Sequence, residues 1–468
     1  MHTTVFERRP PAASVIDHAL ATTRHSVFWL DDITPPTYPR MVGTHLADLV
    51  VVGAGYAGLW TALRAKERDP GRRVIVVEAR TVGWAASGRN GGFCEASLTH
   101  GHDNGATRWP DEIARLDELG RENLDAIGET VARYGMDAEF ERTGTLSVAV
   151  EPHQIEWLAE EEGFLDAAAT RALVDSPTYL AGAWERDETA LVHPGKLAAE
   201  LARVAVEAGV EIFEHSRVVD IDSEAGARPI VRTADGGAVR AAKVALATNV
   251  FPSLLTRTRL YTVPVYDYVL MTEPLTSEQK AAIGWEGRQG IADLANQFHY
   301  YRLTRDDRIL FGGYDAIYHY GGKVRPAYEE RASSYRTLAS HFFTTFPQLE
   351  GLRFSHRWSG PIDTCSRFCA FYGVARGGTV AYAAGFTGLG VGATRFAADV
   401  MLDLLGGTPT ERTELKMVKD KPIPFPPEPV AALGVTLTKW SLDRADHNQG
   451  RRNLLLRTLD AVGMGFDS

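Results

Sequence analysis

The stretch Val50-Val51-Val52-Gly53-Ala54-Gly55-Tyr56-Ala57-Gly58, followed by Val74-Ile75-Val76-Val77-Glu78, decides the fold. It reads as a buried strand, a glycine turn, a helix, a second buried strand and an acid. Gly53 permits the tight turn, Gly55 lets the backbone approach a pyrophosphate, and Gly58 lets the helix lie close on the strand. Tyr56 and Ala57 open that helix, whose outward-pointing N–H groups and positive end suit phosphate. Glu78 ends the second strand, where a carboxylate can accept hydrogen bonds from both ribose hydroxyls. An ordinary strand–helix turn would explain the glycines alone. It does not explain the acid at this distance beyond a helix over residues 59–66. The pattern points to an adenine dinucleotide and does not choose between FAD and NAD.

Composition narrows the class. A chain of 468 residues has room for two or three domains, and 44% hydrophobic with 24% charged residues is ordinary for a globular protein. A net charge of −10 with no basic run argues against nucleic acid. The uncharged run 49–63 is too short to span a membrane and is broken by glycines. Cys94, Cys365 and Cys369 cannot make a disulfide framework, and Cys365 and Cys369 lack the histidine company of a metal site, so no metal is expected. Residues 1–20 mix charges and prolines and hold no apolar signal core. A cytoplasmic enzyme is the expectation.

The order of elements then separates FAD from NAD. Residues 1–43 form an arm with an extended proline-rich end at 34–39, docked by Phe28, Trp29 and Tyr38. Helices are expected over 111–134, 154–169, 196–208 and 327–346. Strands are expected at 145–150, 210–213, 218–222 and 243–248, with a hairpin turn at Asp235-Gly236-Gly237. Residues 261–272, 298–304 and 308–313 alternate as an antiparallel sheet. Near the other end, a strand at 379–384 meets Gly385-Phe386-Thr387-Gly388-Leu389-Gly390, and a helix follows over 393–405. Two glycine-rich strand-to-helix turns, far apart and separated by a sheet, do not suit an NAD dehydrogenase. They suit a flavoprotein whose second turn meets the isoalloxazine ring. The expected fold class is α/β (α+β, two domains): a Rossmann-like FAD-binding domain of dispersed segments (44–110, 186–260, 350–410) with an inserted antiparallel-sheet substrate domain (111–185, 261–349). Residues 411–468, with a proline-rich stretch at 422–429 and a helix at 451–462, form an extension that wraps on the body.

The segment Glu78-Ala79-Arg80-Thr81-Val82-Gly83-Trp84-Ala85-Ala86-Ser87-Gly88-Arg89-Asn90-Gly91-Gly92 resembles the second FAD-binding segment of the D-amino-acid-oxidase-like superfamily. The turn from Gly385 to Gly390 resembles its last flavin-binding segment. The chain is most similar to the gamma-glutamylputrescine oxidase-like branch, over about residues 25–410. The resemblance implies FAD, expected to be non-covalent because of the departure at Ser359, with Ala79, Arg80, Ala86, Ser87, Gly88, Arg89, Asn90, Gly91 and Gly92 at the pyrophosphate and flavin edge. Val218 would meet adenine through its backbone, and Thr248 would lie near the phosphates. Gly385, Thr387, Gly388, Leu389 and Gly390 would face flavin N1 and the C2 carbonyl, where backbone dipoles stabilise the reduced anion. Two departures stand out. Ser359 falls nearer than Cys365 or Cys369 to the cysteine that sarcosine oxidase-like members join to flavin. No lysine matches the superfamily's oxygen-activating residue; His299-Tyr300-Tyr301-Arg302 occupies that region.

The implied reaction is oxidation of the C–N bond of a primary or secondary amine by hydride transfer to flavin N5. The imine formed is hydrolysed to a carbonyl compound, with oxygen or another acceptor reoxidising the flavin. The expected partners are thus a small amine and an electron acceptor, with neither nucleic acid nor membrane; oligomeric state is left open. Tyr266, Tyr268, Tyr301, Tyr314, Tyr318 and Tyr320 are dense enough to suggest an aromatic amine pocket, with Asp267 or Asp315 adding charge. Tyr301, His299 and Tyr266 are the candidate catalytic residues, although sheet core explains any one of them equally well. Arg302 reads as a surface salt bridge unless it binds a substrate carboxylate, and His193 as the residue setting the turn into its helix. A D-amino-acid or N-methyl-amino-acid oxidase or dehydrogenase is the alternative, and a flavin-binding protein without turnover a further one.

Overall fold

The computed structural model describes residues 2–222 and 228–461. In chain order the elements around the site begin with β1 (Thr44–Val52), α1 (Tyr56–Arg68) and β2 (Val74–Val77). They continue with α2 (Pro194–Glu207), β3 (Glu211–Phe213), β4 (Ala238–Leu246) and β5 (Val263–Thr272). Next come β6 (His299–Leu303), β7 (Ile309–Gly313), α3 (Ala332–Thr345) and β8 (Phe354–Thr364). The last are β9 (Val380–Ala384), α4 (Gly390–Gly406), α5 (Val430–Asp446) and α6 (Leu454–Ala461).

The valine-rich runs of β1 and β2 are buried along their inner ends, as strands covered on both faces must be. They pair in parallel, Val52 opposite Val77, and β3 extends the sheet beyond β2. On the other side β4 pairs in parallel with all of β1, Leu246 opposite Val52. The far edge of β4 is shared: residues 238–240 take the hairpin strand 230–232, and residues 244–246 take β9 in parallel. Five parallel strands therefore end together, at Val52, Val77, Phe213, Leu246 and Ala384. That carboxyl edge is where α/β sheets bind ligands.

Close packing enforces the first turn. Gly53 has φ +106°, and a Cβ there would sit 2.6 Å from the Ala247 carbonyl oxygen. A Cβ on Gly58 would lie 1.9 Å from the Gly53 oxygen, so helix α1 touches the turn it leaves. Helices α1 and α4 are joined by ions as well as apolar contacts. Asp399 Oδ1 accepts from Arg64 Nε at 3.0 Å and Arg68 Nη2 at 2.7 Å, and Arg68 Nη1 reaches Asp403 at 2.7 Å.

The second sheet has ten strands, including β5, β6, β7 and β8, and helix α3 packs its aromatic face on it. It is mostly antiparallel, with parallel pairings at 290–293 with 145–148 and at 24–25 with 356–357. Strand β8 belongs here, paired along β5, although its residues were expected with the dinucleotide domain. The arm contains helices Val5–Arg8, Ala13–Leu20 and Phe28–Asp31, and its proline-rich end, expected to be extended, has neither helix nor strand over 33–39. Trp29 is fully buried and Phe28 nearly so. The helix expected over 154–169 is broken into Ile155–Leu158, strand Phe164–Asp166 and Ala167–Leu173. Gly163, at φ +84° and pressed against the Trp184 backbone, makes the turn that interrupts it. In the extension, α6 replaces the helix expected over 451–462, whose last residue lies outside the described residues, and α5 was not foreseen. No helix among the described residues is long and apolar enough to cross a membrane.

The Arg64–Asp399–Arg68 cluster supplies a pH-dependent part of stability. Burial alone would raise the Asp399 carboxyl, but Arg64 and Arg68 outweigh it and hold the group below its ordinary 3.8. A depressed carboxyl stabilises the fold fully above its unfolded value and less as pH falls through the folded one. Asp399→Asn is expected to cost about 3 kcal/mol at pH 7, because two guanidinium groups lose their shared partner. The loss should shrink in thermal melts taken towards pH 3; a pH-independent difference would contradict the assignment.

Candidate functional site

A single cavity of about 1280 Å³ lies along the carboxyl edge of the first sheet and continues beneath the second. Its lining contains Gly53, Gly55, Tyr56, Ala57, Glu78, Ala79 and Arg80 from the first turn and second strand. It contains Ala86, Ser87, Arg89, Asn90, Gly91 and Gly92 from the following loop, Val218 from a later strand and Thr248 just beyond the end of β4. Thr387, Gly388, Leu389 and Gly390 line it as well. The two distant glycine turns thus face one space. Gly58, Gly88 and Gly385 stand behind the lining, where they allow close packing. A Cβ on Gly88 would meet the Gly83 oxygen at 2.4 Å, and one on Gly385 would meet Cys365 and Phe371 at 2.9 Å.

Each wall is held by its own hydrogen bonds. Gly55 caps α1 without a side chain, and Ser87 Oγ accepts from Tyr56 N at 2.9 Å, which fastens the 86–92 loop to the helix start. Asn90 donates to the Ala86 and Ser87 carbonyls and accepts from Gly92 N, locking that loop internally. The indoles of Trp29 and Trp358 donate to the Asn90 and Arg89 carbonyls. Glu78 is buried, which raises its carboxyl, while Ala54 N, Arg80 N and the Trp84 indole donate to it. Its role is therefore partly internal. Arg89 is more committed than the sequence suggested: it pairs with Glu329 at 2.6 Å and donates to the Ser359 and Trp84 carbonyls.

Asp363, which the sequence reading passed over, builds the second turn. Its Oδ2 accepts from Gly385 N at 2.6 Å and Phe386 N at 3.2 Å. Burial lifts its carboxyl to about 6 in spite of those donors. The start of α4 has no side-chain cap at Leu389, so no capping side chain takes up its first N–H groups. His100 is also in the lining, its Cε1 4.0 Å from where a Gly388 Cβ would be; burial, with Arg108 nearby, lowers the imidazole to about 4 and keeps it neutral. An acid isolated at the end of an apolar strand, Gly360-Pro361-Ile362-Asp363, was the available signal for the first of these.

The expected catalytic residues require correction. Alternation along β5 and β6 places Asp267 and Tyr300 on the cavity face, so Tyr268, His299 and Tyr301 turn towards α3. His299 and Tyr301 are fully buried and do not line the cavity. His299 Nδ1 lies 2.7 Å from Asp293 and its Nε2 2.9 Å from His341, and Tyr301 pairs with Tyr179 at 2.7 Å. Tyr266 borders the space, but its hydroxyl is bound to the Arg325 backbone and its ring packs on His319 and Tyr328. Of the other tyrosines, Tyr314 lines the cavity, Tyr318 binds Glu428 and Tyr320 is exposed. Arg302 is a buried cation, donating to the Val192 carbonyl at 2.6 Å with Trp29 beside it, not a surface ion pair. His193 Nδ1 accepts from Lys196 N, capping α2 as expected.

The lining fits a flavin dinucleotide. An uncapped helix start and side-chain-free turn suit a pyrophosphate at one end, and a second uncapped helix start suits an electron-rich ring system at the other. The volume exceeds the ~300–1,000 Å³ of ordinary ligand sites, which leaves room for a substrate beside it. Fold and site define a class, and the chain belongs to it: residues 48–404 match the FAD-dependent oxidoreductase family also called DAO, so this is an FAD enzyme. It is 33% identical over 379 residues to the gamma-glutamylputrescine oxidoreductase of Escherichia coli, covering 77% of this chain and 84% of that one. It is 28% identical to a probable oxidoreductase, OrdL, of Haemophilus influenzae, covering 79% of this chain and 85% of the other. The fold is shared with glycine oxidase from Geobacillus kaustophilus at TM-score 0.64 and 20% identity, covering 78% and 96% of the two chains. It is shared with iminodiacetate oxidase from Chelativorans at TM-score 0.64 and 17% identity, covering 80% and 98%.

Asp363→Ala leaves two buried N–H groups without their acceptor and frees the second turn. The dissociation constant for FAD, titrated into apoprotein by fluorescence, is expected to rise about tenfold. An unchanged constant would show that this turn does not hold the cofactor.

Proposed function

We propose that the protein oxidises the C–N bond of a primary or secondary amine, with Asp267 receiving the amine as its ammonium ion. The carrying observation is a half-buried acid on the cavity face of β5. Tyr300 donates its hydroxyl to Asp267 Oδ2, and the Tyr300 ring is 2.6 Å from where a Gly91 Cβ would project. The acid and tyrosine therefore stand against the loop expected at the flavin edge. The named substrates of the relatives, gamma-glutamylputrescine, glycine and iminodiacetate, all carry an amine nitrogen. The amino-acid alternative loses the arginine that would have favoured it, since Arg302 is spent on the Val192 and Gly92 carbonyls.

FAD, when bound, takes up the two electrons released from the C–N bond. The chain's residues do the rest. The turns at 53–58 and 385–390 hold the dinucleotide at its two ends, Glu78 and Val218 serve the adenosine half, and Ser87 and Thr248 serve the phosphates. Asp267 orients the amine and takes its proton when the neutral form is needed, and Tyr300 steadies that carboxylate by hydrogen bonding. Oxygen is the proposed acceptor. Non-covalent FAD is supported by the lining cysteine: Cys365 Sγ contacts the Cys369 and Gly385 carbonyls at 3.2 and 3.3 Å, and burial pushes its thiol up to about 11. Such a thiol is a poor nucleophile. Acid precipitation should leave the yellow colour in the supernatant; colour retained in the pellet would refute non-covalent attachment.

Burial lifts the Asp267 carboxyl from its ordinary 3.8 to about 6. Only the ionised acid attracts an ammonium group, so amine affinity should strengthen as pH rises through about 6. Asp267→Asn should weaken amine binding about tenfold and abolish that rise, because a charge-assisted contact is lost. The measurement is anaerobic flavin bleaching against amine concentration and pH, followed by air and a peroxide assay. A variant with the wild-type pH profile would contradict the role given to Asp267.

A further inference from the structure

The family match ends at residue 404, yet the chain beyond it returns to the cavity. Ala431, Gly434, Val435, Thr438 and Leu442 of α5 line it, spaced so that they form one stripe of the helix. Leu456 and Leu459 of α6 add to the same wall. The opposite face of α5 looks outward through Leu433 and Trp440.

Helix α5 is pinned to the second sheet at both ends. Before it, Glu428 accepts from Tyr318 Oη at 2.5 Å and Gly321 N at 2.8 Å. At its last residue, Asp446 accepts from Asn296 N at 2.9 Å, Asn296 Nδ2 at 2.7 Å and Gln297 N at 3.2 Å. Between them Lys439 Nζ reaches Asp315 at 2.6 Å. Residues 317–318 pair with 265–266 of β5, immediately before Asp267. The helix is therefore fixed beside the acid, and the surface it turns inward is mainly aliphatic.

We propose that the inner face of α5 selects the substrate, favouring amines with an extended aliphatic arm over glycine-sized ones. This rests on the amine reading above, with the ammonium group at Asp267 and the arm along the Ala431–Leu442 stripe. Gly434 opens onto free space in that stripe, since a Cβ there would meet nothing within 4 Å. A larger side chain at this position enters open space and disturbs no packed neighbour. The helix itself gains from losing a glycine.

The test uses the FAD-loaded enzyme and a series of n-alkylamines from methylamine to octylamine, with glycine as a small comparison. Dissociation constants come from anaerobic flavin bleaching. In the wild type each added methylene is expected to tighten binding about two- to fourfold over the middle of the series. Gly434→Leu should weaken octylamine about tenfold and leave methylamine within about twofold, the mark of a filled cavity, not of a lost fold. Leu433→Ala, on the outward face, should change neither. Wild-type constants independent of arm length would overturn the proposal, and so would equal losses for short and long amines in a Gly434→Leu protein with full flavin content. If no amine bleaches the wild-type flavin, the amine reading itself fails, a result distinct from both.

Discussion

The structure depends on five parallel strands ending at one edge, and on two glycine-rich turns there that face one cavity. At the first, the helix is so near its own turn that a methyl group on Gly58 would overlap the Gly53 carbonyl. At the second, Asp363 takes up the Gly385 and Phe386 N–H groups that a side-chain-free loop cannot satisfy by itself. Helices α1 and α4, which begin at these turns, are bound to each other through Arg64, Arg68 and Asp399. A rigid separation between two anion-favouring ends is what a long, flat, negatively charged cofactor needs.

Buried charge in this protein mostly serves backbone. Arg302 donates to two carbonyls behind the 91–92 loop, Arg89 ties its loop to β8, and Glu78 gathers donors from the first turn and the loop after it. Each group pays for its desolvation by fixing a segment of the lining. Asp267 lies on the cavity face, where it accepts from Tyr300 as well as from the Tyr268 and Gly313 backbone, and burial still raises its carboxyl. Among the cavity's acids, its pairing with a cavity-facing tyrosine sets it apart.

Much of the frame was legible in the sequence. The glycine spacing, the valine runs and the acid at Glu78 each follow from backbone requirements that tolerate few residue types. The sheet strands at 263–272, 299–303 and 309–313 were legible because alternation is a local property. Which face of that sheet meets the cavity is not local. Tyr266 and Tyr268 do share a face, but at Tyr268 it is covered by α3, and polarity could not reveal this because tyrosine suits both environments. Arg302 looked like a surface residue because the carbonyls it binds come from residues 92 and 192, far away in sequence. Helix α5 escaped notice because its inner stripe faces a cavity and its outer face keeps Leu433, Leu437 and Trp440 exposed, which blurs the amphipathic pattern.

The most direct measurement is a crystal structure of the yellow holoprotein at a resolution that defines the cofactor. One FAD should span the cavity, its pyrophosphate at Gly55–Ala57 and its isoalloxazine ring at Thr387–Leu389, with Asp267 and Tyr300 opening onto the ring. A cofactor elsewhere, or one that meets the first turn while Gly388 faces a separate space, would contradict the account.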